Sequence, residues 1–218
     1  MKRFIDILIS ILGLFISSPL IIFFTYLVWK QDKANPIYLA RRVGKKGKVF
    51  NMIKIRTMVL NAESSGVDST SSDDPRITII GKMIRKYKID ELTQLFNILI
   101  GEMSLVGPRP NGERDVRIYT KVEKKLLLVR PGLTDFSSII FSDESEILKN
   151  KKDPDIAYNQ LIRPWKSKLG LFYIENNNIL IDFIIIIITF LGLFSRKISL
   201  KLLVFLLKIL NAPKDLIK

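Results

Sequence analysis

An uncharged run of 23 residues, Ile7 to Trp29, constrains this chain more than any other feature. As a helix it would reach roughly 34 Å, enough to cross a ~30 Å hydrocarbon core. The wider apolar block, Phe4 to Trp29, carries one charge, Asp6. A secretory signal fits poorly, because the block is too long for an h-region and no small-x-small cleavage site precedes Gln31. Two readings stay open. A plain transmembrane helix satisfies the length. A re-entrant helix, bent back to the face it entered, satisfies Ser17-Ser18-Pro19 near the middle, since proline lacks an N–H and clashes with the carbonyl four residues back. Bending back also suits the flanks. Lys2 and Arg3 precede the block, Lys30, Lys33, Arg41, Arg42, Lys45, Lys46 and Lys48 follow it, and basic residues favour the cytoplasmic side.

Lys and Arg number 35 against 21 Asp and Glu, a net charge of +14, and the chain has neither His nor Cys. Serine or cysteine nucleophiles paired with His are therefore excluded, as are disulfides and His- or Cys-ligated zinc and haem. Acid–base or nucleophilic chemistry must fall to Asp, Glu, Lys, Tyr, Ser or Thr. Mg²⁺ or Mn²⁺ remains open, because hard cations need only oxygen ligands. The excess of positive charge calls for acidic partners: nucleic acid, anionic lipid or phosphorylated small molecules.

Residues 37–43 and 48–55 read as two strands joined by Gly44-Lys45-Lys46-Gly47. Residues 61–75, rich in Ser and Asp, read as a solvated mobile loop. A short helix is expected over 76–87. A second carries Leu92, Leu95, Phe96 and Leu99 at helical spacing and ends at Gly101. Gly107-Pro108-Arg109-Pro110 must be irregular, 113–129 reads helical up to Pro131-Gly132, and 156–171 reads as helix. The final apolar block starts near Ile179. Only Phe183 to Ser195 is free of charge there, short for a span and better suited to a buried or interfacial helix, while a second span over Ile179 to Leu193 stays open. Lys197, Lys201 and Lys208 share one face of the helix that follows, the pattern of a basic amphipathic helix on an anionic membrane; a core helix with snorkelling lysines is the alternative.

Asp90-Glu91 precedes an apolar helical run. Asp90 is a natural N-cap, and Glu91 in the first turn suits the helix dipole. The same geometry serves chemistry, since adjacent carboxylates can divide the work, one as nucleophile and the other as Mg²⁺ ligand. The neighbours favour phosphate. Arg85 and Lys88 lie just upstream, Lys54 and Arg56 share a strand face, Arg109 sits between two prolines, and Arg130 precedes Pro131-Gly132. Arg side chains on stiff backbone are suited to bidentate phosphate binding. Together with an apolar anchor, they point to a phosphate-handling site at a bilayer surface.

These residues resemble the bacterial sugar transferase family, the small monotopic phosphoglycosyl transferases. The resemblance rests on Ser18-Pro19 in an apolar helix, Lys54-Ile55-Arg56-Thr57-Met58, Gly81-Lys82-Met83-Ile84-Arg85 and Ile89-Asp90-Glu91-Leu92. Gln94-Leu95-Phe96-Asn97, Gly101 to Pro110 and Arg130-Pro131-Gly132-Leu133-Thr134 extend it. It is strong from Phe4 to Thr134 and weak to about Leu193. It implies transfer of a sugar-1-phosphate from a UDP-sugar to undecaprenyl phosphate with release of UMP, the initiating membrane step of bacterial surface glycan synthesis. It further implies Asp90 as the nucleophile carrying a covalent phosphosugar, Glu91 helping to hold Mg²⁺, phosphate binding at Arg56, Arg85 and Arg109, and a re-entrant helix broken at Ser18-Pro19. Many relatives have Gly and Trp where this chain has Asp135-Phe136, so no selectivity residue follows from the resemblance.

The expected fold is α+β and mainly helical: a re-entrant membrane helix (1–30), a catalytic domain with a small β-hairpin (31–178) and interfacial amphipathic helices (179–218). The expected site is Asp90 and Glu91 with Lys54, Arg56, Arg85, Arg109 and Arg130, and the expected location is the cytoplasmic face of the bacterial inner membrane. Oligomeric state stays open. The rival from another class is a non-enzymatic membrane protein binding anionic lipid or nucleic acid. It does not need Asp90-Glu91, and the basic stretch lacks the interleaved aromatics of a base-stacking platform, so nucleic acid is not expected as a partner.

Overall fold

A computed structural model describes residues 1–217. Helix α1 runs unbroken from Lys2 to Asp32, 31 residues or ~46 Å, and ends where Lys33 adopts left-handed backbone (φ 58°). The expected break at Ser18-Pro19 is therefore not a loss of helix. Pro19 cannot donate to the carbonyl of Phe15, four residues back, and the Ser18 hydroxyl donates to that oxygen instead, at 2.9 Å.

Both ends of α1 are tied to the rest of the chain. At its start Lys2 bonds Asp182, Tyr173 and the Val106 carbonyl, and buried Asp6 accepts from Ser104 Oγ and Leu105 N. At its end Phe24 and Val28 pack on Ile55, Ile84 and Ile89, and Asp32 takes both arms of Arg56 at 2.7 Å. Residues 11–23 contain no buried side chain, and Phe15 and Ile16 are 80% and 76% exposed. A helix crossing a ~30 Å core perpendicular to the bilayer would separate its ends by the membrane. One domain outside the bilayer could not then hold both.

Strands β1 (Ile37–Val43) and β2 (Val49–Ile55) form the expected antiparallel hairpin, with Ile37 opposite Ile55 and Val43 opposite Val49. Helix α2 (Ile79–Lys86) is N-capped by Thr78, whose hydroxyl accepts from Gly81 N. Helix α3 (Gln94–Ile100) ends at Gly101 (φ 92°) as its glycine foretold. Among the described residues the outer edge of β2 has no third strand. Side chains at the start and middle of α3 complete it: Thr93 Oγ1 donates to Ile53 O, and Asn97 accepts from Ile53 N and donates to Asn51 O. Edge groups that would otherwise be buried unpaired are thereby satisfied.

Strand β3 (Ser104–Val106) pairs in parallel with β4 (Gly132–Thr134), a contact too short to leave a sequence period. Between them lie α4 (Glu113–Arg117) and a 3-10 turn over Glu123–Leu128, so the helix expected over 113–129 is in two pieces. Helices α5 (Phe136–Ile140), α6 (Glu144–Ile147), α7 (Pro154–Leu161) and α8 (Arg163–Asn176) follow. The helix expected over 156–171 is divided where Pro164 begins a new one. The segment 61–75 is organised around Arg76, which bonds Asp74, Ser65 Oγ and the carbonyls of Ala62 and Val67.

Helices α9 (Ile179–Gly192), α10 (Arg196–Ile209) and α11 (Lys214–Ile217) close the chain. Ile185 and Leu203 share one core with Met52, Ile98, Phe136 and Tyr173, so packing runs straight across the expected division at residue 178.

Gly132 is required by a close approach. A Cβ there would lie 2.1 Å from Gly107 N. Gly132→Ala should part β3 from β4 and cost about 1–3 kcal/mol or more, read as a lowered Tm. Gly112→Ala, whose Cβ meets nothing nearer than 3.8 Å, should leave Tm nearly unchanged.

Candidate active site

Asp90 and Glu91 lie in one 3-10 turn, Ile89–Glu91, ahead of α3. The turn is reached through Lys88, a non-glycine residue in left-handed backbone (φ 54°), a conformation that costs ~1–3 kcal/mol and persists only where its surroundings enforce it. Ile89 anchors the turn in the cluster under α1, and Thr93 Oγ1 also donates to Asp90 O at 3.0 Å. Asp90 is thus not the N-cap that its position suggested. Among the described residues no side chain caps α3, which leaves the Asp90 carboxylate available.

Asp90 as a whole is 7% exposed and its side chain 11%. Among the described residues it receives one hydrogen bond, from Lys54 Nζ to Oδ2 at 3.4 Å; Oδ1 receives none. Glu91 is held instead by Arg109, Nη2 to Oε1 at 2.8 Å and Nη1 to Oε2 at 3.3 Å. Arg109 also donates to Leu133 O at 2.6 Å. Its backbone is fixed by Gly107 N bonding Thr134 O and Gly132 N bonding Pro108 O, both at 3.0 Å. Burial acts to raise the Glu91 pKa, but the charges of Arg109, Lys54 and Lys88 outweigh it and lower the value to about 2. Burial likewise acts to lower the Arg109 pKa, and the carboxylates of Glu91 and Asp135 raise it.

Arg85 donates Nε to Thr57 Oγ1 at 2.8 Å, and among the described residues no carboxylate lies within 4 Å of it. Burial lowers its pKa, while the charges of Asp90 and Asp74 oppose that fall. A half-buried guanidinium without an anion is suited to an anionic ligand.

Lys54, Arg85, Asp90, Glu91 and Arg109 are therefore brought together. Arg56 and Arg130 have other partners. Arg56 is 8% exposed and locks the end of α1 through Asp32. Arg130 is exposed at the opposite end of α3, donating Nε to Gly101 O at 2.8 Å, beside Arg3, which bonds the carbonyls of Ile98 and Leu99. These cations complement the helix C-terminus. Lys88, named in the sequence only as an upstream cation, adds its charge at Glu91; one contributor escaped the sequence reading. Asp135, 1% exposed, N-caps α5 by accepting from Ser138 N at 2.7 Å and adds negative potential at Arg109. An Asp three residues ahead of a helical N–H was the available signal.

The donor set suits a hard divalent cation shared with substrate. It contains oxygen only, Asp90 has an unengaged oxygen, and Glu91 keeps lone pairs beyond those used by Arg109. Mg²⁺ is commonly held by one or two carboxylates plus substrate phosphates. Among the described residues no group of three or more acidic side chains forms an all-protein cage.

The model of the bacterial sugar transferase family matches residues 1–196. The exopolysaccharide production protein ExoY of Sinorhizobium fredii is 39% identical over 148 residues, covering 61% of this chain and 66% of that protein. An undecaprenyl-phosphate galactose phosphotransferase of Salmonella typhimurium is 40% identical over 149 residues, 62% of this chain and 31% of its own length. A UDP-N-acetylgalactosamine-undecaprenyl-phosphate N-acetylgalactosaminephosphotransferase of Aeromonas hydrophila is 32% identical over 180 residues, 78% and 42% respectively. The chain thus spans between 31% and 66% of the length of these relatives.

Proposed function

Because the chain belongs to the bacterial sugar transferase family, we propose that it passes a sugar-1-phosphate from a UDP-sugar to undecaprenyl phosphate, releasing UMP, through a covalent phosphosugar on Asp90. The observation that carries this reading is the Asp90 carboxylate: buried, with one oxygen unengaged among the described residues, facing Lys54, within the field of Arg85, and next in the chain to Glu91, which Arg109 holds. A carboxylate is ionised at neutral pH without a base, which a chain lacking His requires.

In the first half-reaction an Asp90 oxygen attacks the phosphorus that bears the sugar. The bond from that phosphorus to the bridging diphosphate oxygen breaks, and UMP leaves with the electron pair. In the second, a phosphate oxygen of the lipid attacks the same phosphorus, forming a sugar diphospholipid and restoring Asp90. Lys54 and Arg85 stabilise the phosphoryl oxygens as charge develops. Arg109 holds Glu91 ionised and oriented beside the nucleophile. A bound Mg²⁺, held through Glu91 and the substrate phosphates, would neutralise diphosphate charge.

The lipid phosphate lies at headgroup level and the UDP-sugar is in water, so the reaction belongs at one membrane surface. Attachment of both ends of α1 to the catalytic domain supports a re-entrant disposition, and basic residues on both flanks of α1 support the cytoplasmic face.

A panel of UDP-sugars with undecaprenyl phosphate, read as UMP release, tests the reaction. Release is expected with some UDP-sugars, dependent on divalent cation and abolished by chelation. A protein that binds vesicles but yields no UMP from any UDP-sugar would return the function to a basic, non-enzymatic membrane protein.

A further inference from the structure

Helices α9 and α10 pack against each other, and each buries one face in the main core, through Ile181, Ile185 and Ile188 on one and Leu203, Leu206 and Leu207 on the other. Their opposite faces are bare. Phe183, Ile187, Phe190 and Phe194 recur at helical spacing along and just past α9, all exposed. Ile198, Leu202, Phe205 and Ile209 do the same on α10, Phe205 at 64% exposure. Because both helices press into the same core, both stripes face away from it and combine into one apolar plate.

Lys197, Lys201 and Lys208 lie one residue away from the α10 stripe and are exposed. None has an acidic partner within 4 Å among the described residues, whereas Arg196 pairs with Asp143. Helix α10 contains no Asp or Glu. The plate also adjoins α1: Lys2 bonds Asp182 in the first turn of α9, and Ile5 lines a small cavity with Phe183 and Ile186. Most of α10 lies beyond the residues that the family model matches.

We propose that α10 docks on an anionic phospholipid leaflet, a lipid-selecting contact separate from α1. The apolar stripe enters the headgroup–acyl boundary and the three lysines meet lipid phosphates. Each lysine contributes favourably near a negative surface and contributes little on a neutral one. Continuity with α1 and the absence of acidic residues favour this occupant over a second protein. The inference rests on the membrane association in the function proposed above.

The chain has no cysteine, so single environment-sensitive labels can be placed in the 218-residue chain through Phe205→Cys and, separately, Phe15→Cys. Both are read on vesicles containing nitroxide-labelled lipid. The probe at 15 should be quenched on phosphatidylcholine with or without phosphatidylglycerol. The probe at 205 should be strongly quenched only with phosphatidylglycerol. Lys197→Gln, Lys201→Gln and Lys208→Gln together should lower its docked-to-free ratio by ~10²-fold and leave the probe at 15 unchanged. A probe at 205 that stays in water, is shielded by a second copy without quenching, or is quenched equally on both lipids overturns the proposal while the quenched probe at 15 keeps the membrane reading. A silent probe at 15 removes both. UMP release is measured separately and decides the reaction.

Discussion

Asp90→Asn should reduce turnover by ~10⁴-fold or more, the scale seen when a member of a nucleophilic unit is removed. An amide is a poor nucleophile, while its size and one carbonyl oxygen are kept. The structure makes this substitution unusually clean. Among the described residues the Asp90 side chain caps no helix, and its single hydrogen bond comes from Lys54 at 3.4 Å. The fold has little stake in its charge, so Tm should change by no more than a degree or two. Catalytic loss with an intact Tm separates a nucleophile from a structural carboxylate. An Asp90→Asn enzyme that turns over normally would leave Asp90 with no chemical role.

Arg109→Ala should fall on both stability and rate. It strips Glu91 of its partner, and removing one member of a fully buried pair costs ~3–5 kcal/mol. The side chains of Arg109 and Glu91 retain 21% and 23% exposure, which places the expected loss at the low end, about 3 kcal/mol. The sign with pH is fixed by Glu91. Its folded pKa lies below the ordinary 4.5, so its contribution is complete above that value and is lost as pH falls toward about 2. The penalty for Arg109→Ala should therefore be largest near neutrality and shrink on acidification, as Glu91 becomes protonated in both proteins. In kcat/KM, loss of a preorganised cation and misorientation of Glu91 should cost ~10²–10³-fold. Lys45→Ala in the exposed hairpin loop is the control and should change neither quantity appreciably. An Arg109→Ala protein with equally small effects would reduce the cationic surround to diffuse electrostatics.

The hairpin, the two short helices before Gly101 and the long apolar helix were legible because each has a strong local period and a terminal signal. The grouping of acids and cations was legible in part, because Asp90-Glu91 is flanked by Arg85 and Lys88 in a chain without His or Cys. What escaped depends on contacts far apart in sequence. Strands β3 and β4 are three residues each, and only Gly107 meeting Gly132 reveals them. The partners that Arg56 and Arg130 take here, Asp32 and the Gly101 carbonyl, were not legible, because charge and a stiff backbone look the same whatever a guanidinium faces. The proline in α1 predicted lost helical bonding, but the Ser18 hydroxyl one residue earlier serves the orphaned carbonyl. The core likewise ignores the compositional boundary near residue 178, since the apolar stripe of α9 and α10 that faces inward was hidden in a block apolar on nearly every side.

The central claim is that Asp90 becomes covalently loaded before the lipid acceptor reacts. Incubating the protein with a UDP-sugar that supports UMP release, in the presence of Mg²⁺ and without undecaprenyl phosphate, should give an intact mass increased by one sugar phosphate. The adduct should map to the peptide containing Asp90, be absent from Asp90→Asn, and disappear when undecaprenyl phosphate is added. An unmodified mass alongside UMP release that requires both substrates together would contradict the account, because it would mean direct transfer to the lipid with no covalent intermediate.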